Sequence, residues 1–87
     1  MKKRELTDEQ LVELGKEISD MYRSAIRAWE IGMQAFPIKS RQYRSICGTG
    51  RRVRETYFLI MGEAEARKWR GDKLREVSDV GIHCTFH

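Results

Sequence analysis

From residue 11 to residue 36 apolar residues return every three or four positions with no proline among them. Leu11, Leu14, Ile18, Met21, Tyr22, Ala25, Trp29, Met33 and Phe36 make one stripe, and Lys16, Asp20, Arg23, Arg27, Glu30 and Gln34 fill the opposite side. That period belongs to an amphipathic helix, here over about 8–36. Thr7-Asp8-Glu9-Gln10 has the form of a capping box, with Thr7 accepting from the third helical amide and Gln10 reaching back. Asp8 and Glu9 suit the positive end of the helix, and Pro37 stops it. Gly15 and Gly32 each weaken it by about 1 kcal/mol relative to alanine.

Ser40 is a cap for a second helix over about 41–61. Its stripe is Tyr43, Ile46, Cys47, Val53, Tyr57, Ile60 and Met61, thinned in the middle by Gly48 and Gly50. Two readings stay open: a helix that breaks at Gly48-Thr49-Gly50, or a continuous helix whose missing side chains leave a groove. Arg41, Arg44, Arg51, Arg52 and Arg54 make this the most basic segment. Gly62 is expected to separate it from a third helix over about 63–80, with Ala66, Trp69, Leu74, Val77 and Val80 as a weaker stripe. Gly81 then closes that helix. The tail, 82–87, alternates and places Ile82, Cys84 and Phe86 on one side, as an extended arm does. The expected fold is all-α: one domain over 1–87, a three-helix, mainly antiparallel bundle with a short extended C-terminal tail.

A chain of 87 residues buries only about 60% of its unfolded surface, so it gains much from a partner. The net charge of +4 suits an acidic one: nucleic acid, an anionic membrane or an acidic protein. No apolar run approaches the roughly 18 residues of a membrane span. The N-terminus, Met1-Lys2-Lys3-Arg4-Glu5, leads into acidic residues rather than an apolar run, so neither a secretory signal nor a cleaved presequence is expected. Cys47 and Cys84 are too far apart for a zinc motif. A bridge between them is open, and two reduced thiols are preferred. His83, Cys84 and His87 would share a face only on a helix, so no metal site is expected. No Ser/His/Asp set, phosphate loop after a strand or pair of buried carboxylates is recognisable, and no enzymatic activity is expected.

Arg23 and Arg27, four apart, project from one side of the first helix, with Tyr22 about 100° round toward the apolar stripe. The stretch Met21-Tyr22-Arg23-Ser24-Ala25-Ile26-Arg27-Ala28 resembles the signature of the LYR-motif family, named for Leu-Tyr-Arg in its first helix, with Met21 in place of leucine. Phe36 takes the part of the phenylalanine before the first loop. Tyr43-Arg44 and Arg51-Arg52-Val53-Arg54-Glu55-Thr56-Tyr57-Phe58 are similar to the signature of that family's second helix.

The resemblance implies a small, non-enzymatic mitochondrial protein that binds the acyl carrier protein and serves as an accessory subunit or assembly factor. Tyr22, Arg23, Arg27 and Arg44 would meet the carrier protein. Gly48 and Gly50 would leave a groove for the acyl chain on its 4′-phosphopantetheine arm, the only prosthetic group implied. Arg51, Arg52, Arg54, Trp69 and Phe86 would face a larger assembly, with Trp69 between Arg67 and Arg70 as an exposed anchor. The expected host is respiratory complex I, on the matrix side of the inner membrane. The mitochondrial ribosome and iron–sulfur assembly are alternatives within the family. A basic RNA-binding ribosomal protein is the alternative outside it, since the arginines of the second helix also suit RNA phosphates.

Overall fold

A computed structural model describes residues 5–77. Among them the chain is all-helical, with three helices: α1 (Asp8–Ala35), α2 (Arg41–Ala66) and α3 (Asp72–Val77). The tail with Phe86, and the expected C-terminal part of the third helix, lie outside the described residues.

Local chemistry sets the first three boundaries. The Thr7 hydroxyl accepts from the Gln10 amide at 3.0 Å and the Gln10 side chain accepts from the Thr7 amide at 3.0 Å. This satisfies two of the amides that a helix start leaves open, a contribution of about 1 kcal/mol. At the other end Phe36 is already extended, at φ −123° and ψ 143°, as a residue before proline prefers, and its amide closes on the Gly32 carbonyl. Ser40 then caps α2 by accepting from the Tyr43 amide at 3.2 Å.

The second helix decides one open reading and departs from expectation once. It is continuous through Gly48 and Gly50, and Gly62 does not end it. A helix tolerates a glycine at about 1 kcal/mol, and Ile60, Met61 and Ala64 around Gly62 stay in the cluster with Leu11 of α1. The stop lies at Lys68, which takes φ +62°. The Lys68 amide donates to the Glu65 carbonyl and the Trp69 amide to the Ala64 carbonyl. That is a Schellman closure with lysine in the position glycine usually holds. Its hydrophobic contact is present as well, since Trp69 and Ala64 belong to one buried cluster. Gly71, at φ +59°, then turns the chain into α3, which is described over 6 residues.

Two clusters form the core. Leu11, Ala64, Trp69 and Val77 close the end where α3 sits, with Val12, Ile60, Met61 and Leu74 against them. Tyr22 and Tyr57 form the middle, with ring centroids 5.2 Å apart at 49°, flanked by Ile18, Ala25, Ile26, Trp29 and Val53. A tilted aromatic pair adds about 0.5–1.5 kcal/mol beyond the area it buries. The seam on α1 steps by four and three through Leu11, Gly15, Ile18, Tyr22, Ala25, Trp29 and Gly32. It is narrower than the stripe read from sequence: Met21, Met33 and Phe36 stand exposed.

The α1 glycines are places of close approach. A Cβ on Gly15 would stand 2.6 Å from the Val77 carbonyl oxygen and 2.8 Å from its Cβ. One turn on, Ser19 is buried and donates from its hydroxyl to that same carbonyl at 3.2 Å. Gly15 and Ser19 thus form the seat that holds α3. Gly32 admits Ile46 of α2 in the same way, 2.6 Å from where a Cβ would be.

Candidate functional site

At 100° per residue, Arg41, Arg44, Arg51 and Arg52 fall within about 100° of one side of α2. All four are exposed, and among the described residues none of them makes an ion pair. Glu55 is the one acidic residue on the same arc. The stripe rises about 16 Å from Arg41 to Arg52. Gly48 sits in its middle with nothing within 4 Å of where a Cβ would be. The result is a shallow depression of about 600 Å³ edged by Gly48, Arg51, Arg52, Glu55 and Thr56. A bare patch of helix between arginines admits a phosphate or a carboxylate close to the backbone while the guanidiniums bind it from the sides.

The α1 arginines differ from each other. Arg27 is exposed and, among the described residues, makes no ion pair. Arg23 pairs with Asp20 at 2.8 Å. It stands at the lip of a second depression, of about 300 Å³, between α1 and α3, whose edge also carries Lys16, Ser19, Glu76 and Arg75. Sequence reasoning missed Lys16, Ser19 and Arg75 there, because α3 reaches them only through the turn at Lys68 and Gly71. It also left Arg41 out of the site, though sorting the α2 arginines by helical angle includes it.

Several expected site residues stand elsewhere. Tyr22 is 0% exposed and packs on Tyr57, so its ring is core and does not reach a partner. Trp69 is 8% exposed, the opposite of an exposed anchor. Arg67 is not available either. Its guanidinium pairs with Asp8 at 2.7 Å and Glu63 at 3.2 Å and donates to the Leu6 carbonyl. The hydrogen bond to Asp8 is the main cause that pushes its pKa further above its ordinary value. Arg54 is half-buried and has a partner. Gly48 and Gly50 do not line one groove. They are about 200° apart on a continuous helix, the first beside open space and the second buried. Cys47 is a buried free thiol.

Among the described residues no cluster of His, Cys, Asp or Glu could hold a metal ion. No helix among them is long and apolar enough to cross a membrane. No family model, no curated protein and no solved structure matches the chain.

Proposed function

We propose that the chain is a non-enzymatic adaptor of the LYR-like kind, a three-helix, mainly antiparallel bundle that docks an acidic acyl carrier protein on its arginine faces. The observation that carries this reading is the α2 stripe: four exposed arginines on one arc without ion pairs among the described residues. The antiparallel arrangement is supported by the order of the contacts. Leu11 shares a cluster with Ala64, Tyr22 stacks on Tyr57, and Gly32 admits Ile46. Carrier-protein contact then falls to Arg27 and Arg44, with Arg41 added from the stripe. Arg23, with Lys16 and Arg75, edges a depression that also carries Asp20 and Glu76, and the phosphate of the 4′-phosphopantetheine arm would displace Asp20 from Arg23 there. In this reading the host is a mitochondrial assembly, respiratory complex I before the ribosome, and Arg51 and Arg52 are the cations left to face it.

Intact mass spectrometry of the native complex tests the partner directly. The expected result is a small acidic protein with an acyl-phosphopantetheine adduct. In binding assays with purified carrier protein, Arg27→Glu combined with Arg44→Glu should lower affinity by about a hundredfold with helicity unchanged, since hydrogen bonds to charged groups contribute about 1.5–3 kcal/mol each. The stripe also suits RNA phosphates. Salt-sensitive retention of arbitrary RNA, with no carrier protein in the complex, would replace this reading with the ribosomal one.

A further inference from the structure

The described surface carries eight exposed large apolar residues, and four of them, Ile31, Met33, Phe36 and Ile38, lie within the short stretch 31–38. They occupy the last turn of α1 and the connection to α2. Ile38 is 73% exposed and Ile31 66%. Ile31 and Met33 are about 200° apart around α1, so the apolar residues ring the end of the helix instead of lining one side. Phe36, Pro37 and Ile38 cap that ring. Ile46 fills the inside of the ring at Gly32, so these side chains have no core of their own to enter.

Charge says what covers this end. Lys39, Arg41 and Arg44 follow at once, all exposed, and the basic stripe continues to Arg51 and Arg52. Glu30 is the acidic residue nearest to it in the chain. An apolar ring with a collar of cations behind it has the layout of a segment that enters a lipid surface end-on: side chains reach the acyl boundary while lysine and arginine meet the headgroups. A protein groove would instead favour apolar residues along one face of the helix.

We propose that the α1–α2 connection inserts into the surface of an anionic bilayer, with Phe36 and Ile38 in the acyl boundary and Lys39 and Arg41 on anionic headgroups. The site overlaps the proposed carrier-protein contact at Arg41, and its test uses no carrier protein. Lipid binding without carrier protein therefore stands or falls by itself.

The test is cosedimentation of the full chain with vesicles of phosphatidylcholine alone and of phosphatidylcholine with phosphatidylglycerol. Partitioning should be strong on the anionic vesicles and weak on the neutral ones. Lys39→Glu and Arg41→Glu should each lower it by about fivefold or more, as loss of a cation near a charged surface does. Ile38→Asp should lower it at least about tenfold, with an unchanged unfolding curve because Ile38 is exposed. Ile38→Trp should give a blue-shifted emission on anionic vesicles only. Equal binding to both vesicle types, or to neither, overturns the proposal. So does cosedimentation without the blue shift, which would mean adsorption through the α2 stripe alone. A lipid-free dimer that Ile38→Asp converts to monomer would overturn it too, assigning this end to a second copy of the chain.

Discussion

Gly15 and Gly62 are both helical glycines, and helix propensity alone gives each the same cost. Their surroundings separate them. A Cβ at Gly15 meets the Val77 carbonyl at 2.6 Å, whereas one at Gly62 has nothing within 4 Å. Backbone atoms cannot swing aside as a flexible side chain can. Gly15→Ala should therefore destabilise by about 1–2 kcal/mol, because overpacking of about 1–3 kcal/mol outweighs the gain in helix propensity. Gly62→Ala should stabilise by about 0.5–1 kcal/mol. Urea midpoints at constant m-value check both. A destabilised Gly62→Ala would return that residue to the turn that its sequence context suggests. The same contrast limits the reading of Tyr22. Periodicity places its ring toward the apolar side, but only the position of Tyr57 shows that the ring is fully covered.

At the scale of elements, what could be read from sequence was whatever local chemistry decides. The Thr7 box, the stop at Pro37 and the Ser40 cap depend on residues within one turn, and each stands where it was expected. The end of α2 was not legible, because its left-handed residue is a lysine. The closure is held by Trp69 returning to Ala64 and by the Arg67 pairs with Asp8 and Glu63, which join residues up to 59 apart in the chain. Gly62 was the visible candidate, and Gly71 read as part of the third helix. One is mid-helix and the other is the second turn of the linker. Lys68→Gly should accordingly stabilise the protein by about 1 kcal/mol, the cost of a left-handed residue with a Cβ. Trp69→Ala should cost about 3–5 kcal/mol, as removal of a buried aromatic does. Thermal unfolding of the two variants gives opposite shifts if the closure is as described. Two shifts of the same sign would break it.

The described part of the molecule is flat. Its extents are 43 × 35 × 17 Å and its radius of gyration is 15.0 Å, against about 12 Å for a compact chain of this size. The shortest dimension is below two helix diameters of about 10–12 Å each. Packing is also uneven along the length. Both buried clusters draw on residues 11–29 and 53–77, and α3 is seated on Gly15 and Ser19 at one end. Toward the α1–α2 connection the core thins to Gly32 against Ile46, with Cys47 and Gly50 buried beside it. Local opening follows the amount of apolar contact. Amides of residues 30–46 should exchange about ten- to a hundredfold faster than those of 14–26 and 54–64, measured by native-state hydrogen exchange. Partners that use this end should protect it selectively: anionic vesicles chiefly 33–41, and a docked carrier protein chiefly 27–44. Uniform protection in the free chain would show that the connection end is as well held as the end closed by α3. The apolar ring at 31–38 would then sit on rigid backbone and would meet a membrane without ordering.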